Sequence, residues 1–332
     1  MPRITDTAGM AAELPRNGLV FALGLDGRGG ATPIQTAERP DGGPLWLHLD
    51  RSDPEVQRWI AADGDVPPAV ARALLEEDTR PRCVVRPDGV LLILRGINFD
   101  PAAEHEETIA VRLWVTADRV LSLRRYRIMA VTDLREALER GEGPRTVSDL
   151  VLRIVERLTA RMAPEIDEME ETLDEMEVAS LGDSSEVNRG QLSEVRRRAL
   201  ILHRYLFPQR DALVEFRRNA GERLADLDPL DFQETIDRVT RLVEDLDALR
   251  SRAAIVEDGI AIKVAERMNR NMYWLSIVAT IFMPIGFITG LLGVNVGGIP
   301  GSEQPWAFAG LVAILGILIG VEVWIMRRMR LI

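Results

Sequence analysis

The sequence predicts a membrane protein made of an α/β cytoplasmic domain, a long stalk helix and two C-terminal transmembrane helices. Three observations carry that prediction. Met272 to Val294 is 23 residues without a charge, and Trp306 to Met326 is 21 residues with one, Glu322. About 20 apolar residues are enough to cross the hydrocarbon core as a helix, and neither span shows the polar face of a buried soluble hairpin. Thirdly, a helical pattern that starts near Asp231 meets no glycine until Gly259 and no proline until Pro284.

Within the N-terminal domain, 1–145, short runs rich in β-branched and apolar residues read as strands at Leu19–Leu25, Leu45–Leu49, Cys83–Arg86, Val90–Ile97, Ile109–Val115 and Val120–Arg124. Turn pairs such as Asp26-Gly27, Asp41-Gly42 and Asp88-Gly89 bound them. Pro54–Ala62, Pro67–Leu75 and Asp133–Arg140 read as helices, two of them with proline in the first turn. The glycine-rich Gly24–Thr32 lacks the Gly-Lys-Ser/Thr of a phosphate loop and reads as a hairpin turn.

Strand signals end at Ser148. Residues 146–230 read as helical, with Val151, Ile154, Leu158 and Met162 at helical spacing. A second stretch runs from about Glu186 to Arg218 and is interrupted or ended near Pro208. In the stalk, 231–271, Val239, Leu242, Leu246, Leu249, Ala253, Val256 and Ile260 step by three and four, a heptad seam that calls for partner helices. Unbroken from Asp231 to Gly293, this helix would be on the order of 95 Å long. The first span then occupies 272–294, the loop 295–305, the second span 306–326 and a basic tail 327–332.

Charge orients the hairpin. Lys263, Arg267 and Arg270 precede the first span and Arg327, Arg328 and Arg330 follow the second, whereas the connector Asn295 to Pro305 holds only Glu303. Both termini are therefore expected in the cytoplasm and the connector outside. Tyr273, Trp274, Trp306 and Trp324 fall at interfacial depth. The net charge of −11 conceals two unlike parts: residues 1–270 hold 38 basic and 50 acidic side chains, a net −12. That acidity argues against nucleic acid as a partner. The single cysteine, Cys83, excludes an intramolecular disulfide framework and a Cys-rich zinc cluster, and reads as a buried strand residue. Met1 to Arg16 holds no apolar run, so no signal peptide is expected.

Two spans per chain do not enclose a water-filled path, so transport would need an oligomer. Met272, Ser276, Ala279, Met283, Gly286, Gly290 and Gly293 give the first span one narrow face of small or flexible side chains. Gly286-x-x-x-Gly290 suits close helix packing, and the same stripe suits a pore lining; spacing leaves both readings open. Pro284 frees a carbonyl that protein or pore water must satisfy.

The stripe ends in Gly293-Val294-Asn295, followed by Val296-Gly297-Gly298-Ile299-Pro300-Gly301. Here the chain resembles the CorA superfamily of divalent-cation channels and transporters, whose signature is a Gly-Met-Asn-type triplet after a long stalk. Val294 replaces the Met, and with the Gly-Gly-Ile-Pro-Gly loop the sequence is most similar to the ZntB zinc-transporter branch. Trp46-Leu47-His48-Leu49-Asp50 and Glu76-Glu77-Asp78-Thr79-Arg80-Pro81-Arg82 extend the likeness. The resemblance implies a homopentamer with a funnel-shaped cytoplasmic domain in the bacterial inner membrane. It also implies an axial pore lined by Met272, Ser276, Ala279, Met283, Gly286 and Gly290, with Gly293, Val294 and Asn295 as its selective mouth. Transported Zn²⁺, not a bound cofactor, is the metal expected, with Mg²⁺ or Co²⁺ transport as the rival reading. Residues 271–332 contain no Cys or His, so a zinc path must use oxygen ligands or a hydrated ion.

Other residues receive plainer readings. Glu303 would form a ring of five carboxylates at the mouth, or be a solvated loop residue. Glu322 is an intramembrane acid and so a proton-coupling candidate, but snorkelling or pairing with Arg327 or Arg328 is the preferred reading. The eight acids from Glu165 to Glu177 read as a solvated helix face opposite Arg196, Arg197 and Arg198 rather than a cation sensor. His48 with Asp50, and Glu104-His105-Glu106-Glu107, have spacings too common to argue for metal, and His203 has no helical His or Cys partner. A membrane-anchored sensor or enzyme in residues 1–145 is the rival of another class. No nucleophile–base constellation or cofactor loop supports it, and no catalytic residue is expected.

Overall fold

The computed structural model describes residues 14–36, 43–62, 66–98, 108–181, 188–220, 228–293, 301 and 304–328. The chain divides into two units, Met1–Val256 and Glu257–Ile332.

The first unit is built on seven strands: β1 (Leu19–Leu25), β2 (Ala31–Pro33), β3 (Leu45–Asp50), β4 (Arg82–Arg86), β5 (Gly89–Ile97), β6 (Thr108–Val115) and β7 (Arg119–Arg124). They lie in the order β2-β1-β3-β7-β6-β5-β4, antiparallel except for the parallel pair β3–β7. β3 is buried from Leu45 to Leu49 and β5 from Gly89 to Gly96. Continuous apolar runs fit strands covered on both faces. β2 was not anticipated. It is three residues long, too short for a period-2 signal, and the turn makes it: Asp26 Oδ1 accepts from Arg28 N at 2.7 Å and Gly30 N at 2.9 Å. Gly27 and Gly29 supply the positive φ angles, 73° and 109°, that this hairpin needs.

Helices α1 (Pro54–Ala62) and α2 (Pro68–Leu75) send Val56, Trp59, Ile60, Val70, Ala71 and Leu74 into a core with Leu47, Leu49, Leu91, Ile93, Trp114, Leu121 and Leu123. Helices α3 (Met129–Glu139) and α4 (Val147–Ala160) follow, the latter capped by Thr146, whose side chain accepts from Asp149 N at 3.1 Å. A Cβ at Gly96 would lie 2.6 Å from Leu158 Cδ2, so glycine lets α4 approach β5. One polar knot sits in the core: Trp46 Nε1 donates to Ser122 Oγ at 2.9 Å, and Ser122 Oγ donates to the Leu47 carbonyl at 3.1 Å.

Next come α5 (Ala163–Leu181), α6 (Arg189–Ala220) and α7 (Pro229–Leu292). The expected interruption at Pro208 does not occur, and α6 continues through it. A mid-helix proline costs about 3 kcal/mol. Tertiary packing offsets it here: α6 packs on β4 and β5, with Leu206, Ala212, Leu213 and Phe216 buried. The wholly buried Gln209 accepts from Arg95 N at 2.7 Å. α7 begins two residues before the expected Asp231, with Pro229 at its start and Asp228 Oδ1 accepting from Leu230 N at 2.8 Å.

The heptad seam is buried from Val239 to Val256 and finds its partners in the same chain. Phe232 stacks on Phe216, His203 Nε2 meets Asp247 Oδ1 at 3.1 Å, and Arg252 pairs with both Asp174 and Glu177 of α5. Ile260, the last seam residue, is only partly buried.

Candidate functional site

The second unit holds the rest of α7 and helix α8 (Ala307–Arg328). Both contain a stretch long and apolar enough to cross a bilayer, uncharged in α7 and carrying Glu322 in α8, with none of the window buried. Met326 is the one buried apolar side chain among the described residues here, while Phe287 is 71% exposed.

The exposed and partly buried residues of α7 sort by face. Ile277, Ile281, Pro284, Ile285 and Ile288 are partly buried. On α8 Leu311, Leu315, Leu318, Glu322 and Met326 are the partly or fully buried residues at the same four-and-three spacing. A cavity of about 290 Å³ lies where the helices meet, lined by Tyr273, Ser276, Ile277 and Thr280 of α7 and Glu322, Ile325 and Met326 of α8. At 3.6 residues per turn the stripe Met272, Ala279, Met283, Gly286 and Gly290 lies about 180° from that packed face. These residues and Ser276 are all exposed in the single chain, Met272 by 61% and Met283 by 72%. A Cβ at Gly286 or Gly290 would meet nothing within 4 Å, so no neighbour in this chain requires their smallness. Gly293 closes the helix, donating to Thr289 O at 2.9 Å. Val294, Asn295 and Glu303 lie outside the described residues, as does Glu104-His105-Glu106-Glu107.

One arm of the Glu322 reading, pairing with Arg327 or Arg328, is corrected. Glu322 forms no ion pair with either. Its Oε2 is buried without a hydrogen-bond partner, turned to the cavity shared with α7. Helical spacing placed it on the face toward α7, and four to five residues of separation did not bring the arginines back to it.

The remaining candidates are structural. His48 is buried, its Nδ1 2.8 Å from Ser122 Oγ and its ring stacked on Phe21. Because Ser122 gives its proton to Leu47 O, Nδ1–H is the donor to Ser122. Burial, and then Arg124, push the imidazole pKa down to about 3, so it is neutral. Asp50 Oδ1 instead accepts from Ser52 N at 2.9 Å. Cys83 is on β4 but only partly buried, and burial with Glu215 nearby raises its thiol to about 12, an unreactive state. Of the α5 acids, Glu165 pairs with Arg198, as expected. Arg197 pairs within its own helix, with Glu194 at 2.7 Å. No group of three His, Cys, Asp or Glu able to hold a metal occurs among the described residues.

Sequence reading missed a cavity of about 480 Å³ in the first unit, lined by Arg51, Arg95, Arg112 and three further arginines. The available signal was a lone charge inside an apolar strand, Arg95 in Gly89–Ile97 and Arg112 in Thr108–Val115.

An α/β unit followed by two exposed apolar helices, the first with an unpartnered face of small residues, defines a membrane protein of the transporter class. A sequence model described as CorA-like Mg²⁺ transporter protein matches residues 41–328. The chain belongs to this CorA-like family of divalent-cation transporters, which are not enzymes. It is 38% identical over 320 residues to the zinc transport protein ZntB of Pectobacterium carotovorum, covering 95% of this chain and 97% of that one. It is 36% identical over 320 residues to the divalent cation transporter CmaX of Pseudomonas aeruginosa, covering 94% and 96%. The solved structure of full-length CmaX matches with a TM-score of 0.80 at 36% identity, over 94% of this chain and 98% of that one.

Proposed function

We propose that this chain assembles as a homopentamer in the bacterial inner membrane and transports divalent cations, with Zn²⁺ as the principal cargo. The observation that carries the reading is the face of α7 turned away from α8. It presents small and flexible side chains that neither the chain itself nor lipid calls for. Five copies around an axis would bring those faces together, with Ala279, Met283, Gly286 and Gly290 along the path, Met272 at its inner end and Ser276 at the flank that also borders the α7–α8 cavity. The Gly293-Val294-Asn295 triplets would form the outer mouth, and five Glu303 carboxylates would concentrate cations at it. The arginines and lysine flanking both spans hold the two termini in the cytoplasm.

Zinc is favoured by the 38% identity to a relative that bears a zinc-transport name. The absence of Cys and His from 271–332 favours the second reading, a Mg²⁺ or Co²⁺ channel that passes hydrated ions. Proteoliposomes loaded with ion-sensitive dyes separate the two. Zn²⁺ flux exceeding Mg²⁺ flux at equal concentration and potential is the expected result, and the reverse order would assign the cargo to Mg²⁺. Imposing a pH gradient in the same vesicles tests for proton coupling.

A further inference from the structure

The cavity of about 480 Å³ in the first unit has an electrostatic character opposite to that of a cation site. Six arginines line it, Arg51, Arg95, Arg112, Arg125, Arg197 and Arg204, against two acids, Glu77 and Asp78. Three of the six are more than nine-tenths buried: Arg51 is 7% exposed, Arg95 8% and Arg112 2%. By strand alternation Arg95 shares the sheet face of Ile93, and Ile93 stands opposite Arg112 in the β5–β6 ladder, so both guanidiniums leave the sheet on one side.

Two of these charges are held mainly by backbone dipoles. Arg95 donates from Nη1 to Thr108 O at 3.1 Å and from Nη2 to Thr79 O at 2.9 Å. The carboxylate paired with it, Asp78, is 3.7 Å away on a side chain 85% exposed. Arg112 donates from Nη2 to the carbonyls of Glu76 at 2.8 Å and Glu77 at 3.3 Å. The Nε of each is buried with no hydrogen-bond partner. Carbonyl oxygens aim a guanidinium but leave its charge uncompensated, and a buried uncompensated charge is costly. At Arg112 burial, then Arg51 and Arg95, lower the pKa to about 10, against a smaller opposing pull from Glu76. Aromatic rings fix the forks further: Arg95 lies 4.5 Å above the Tyr205 ring and Arg204 5.3 Å from it, while Arg125 lies 5.2 Å from Tyr126. Arg95 and Arg112, converging from one sheet face with carbonyls as their main partners at the wall of a cavity of ligand size, favour an anion as its occupant.

We propose that this cavity binds a small-molecule anion carrying two or more phosphate groups, of the nucleoside di- or triphosphate class. Planar guanidinium forks match phosphate oxygens bidentately, and with Arg197 paired to Glu194 the six arginines still exceed Glu77, Asp78 and Glu194 by three charges, which suits a polyphosphate better than a monoanion. The site lies in the first unit, and its arginines disfavour a cation there.

The test is equilibrium binding of ATP, inorganic pyrophosphate, inorganic phosphate and citrate to the purified full-length protein in detergent, without added metal. Pyrophosphate and ATP are expected to bind saturably at one per chain, more tightly than phosphate or citrate, and to weaken as NaCl is raised. Arg125→Ala and Arg204→Ala, both at exposed positions, are each expected to weaken pyrophosphate about tenfold without shifting the unfolding midpoint of the unliganded protein. Absence of saturable pyrophosphate and ATP binding at millimolar concentration would overturn the proposal. So would binding that the Arg125→Ala, Arg204→Ala double variant leaves unchanged, or citrate binding tighter than pyrophosphate.

Discussion

The two units of this chain use apolar residues in opposite ways. In Met1–Val256 the large side chains are enclosed, with Trp46 and Leu47 at 0% exposure and Trp114 at 1%. In Glu257–Ile332 Met283, Phe287 and Trp306 are each about 70% exposed. Burial of apolar surface stabilises the first unit within one protomer. The second presents the same chemistry outward, as helices that cross a bilayer do. One face of α7 meets α8, and the opposite face, small and unpartnered, is the part that the single chain does not explain.

That contrast can be broken at several points. The largest effect is expected where the unpartnered face is filled. Gly290→Leu places a branched side chain where four neighbouring copies would converge, and Zn²⁺ uptake into proteoliposomes should fall at least about tenfold although the protein inserts and folds. Wild-type uptake by that variant would show that the glycine face does not line a crowded axis. In the first unit the comparable change is Trp46→Ala. It opens a cavity and removes a donor to Ser122, and should cost about 3–5 kcal/mol in chemical unfolding of the full-length protein. A cost below about 1 kcal/mol would mean that Trp46 is not part of a close-packed core.

A smaller effect follows from His48. Its folded pKa, about 3, lies below the unfolded value near 6.5. Between those values the unfolded state binds the extra proton. Stability is therefore full above pH 6.5 and lost as pH falls toward 3, by up to about 1.4 kcal/mol per pH unit. Unfolding midpoints at pH 7, 6 and 5 should drop less for His48→Gln than for wild type; parallel curves would refute a neutral buried imidazole. The smallest effect is expected at Arg252, whose guanidinium is stabilised in its charged form by Glu177 and Asp174 but is 35% exposed. Solvent screening limits Arg252→Gln to about 1 kcal/mol or less, read by the same unfolding experiment.

Much of this architecture was legible because its signals are long or periodic. The spans, the heptad seam and six of the seven strands come from runs of residues whose spacing has one reading. The failures are local. β2 is set by side-chain bonds from Asp26 rather than by its own three residues. Pro208 lies in α6 because packing on β4 and β5 outweighs proline's local cost. Glu322 was expected to snorkel or to pair with Arg327 or Arg328; no such pair forms, because its place on the α8 face turns it to the cavity shared with α7. The arginine cavity was invisible for a further reason. Arg95 and Arg112 are 17 positions apart in sequence, and only the antiparallel register of β5 and β6 makes them neighbours. The candidate pore stripe is the reverse case, since its residues lie on one helix and their spacing alone places them together.

The central claim is that this stripe lines the cation path, and cysteine accessibility tests it most directly. In a Cys83→Ser background, single cysteines are placed at Ala279 and Met283 on the stripe and at Ile281 and Ile288 on the packed face. Zn²⁺ flux into proteoliposomes is then measured before and after a charged, membrane-impermeant thiosulfonate reagent. Block at Ala279 and Met283 with flux retained at Ile281 and Ile288 is the predicted result. Block confined to the packed face, or at none of the four, would contradict it.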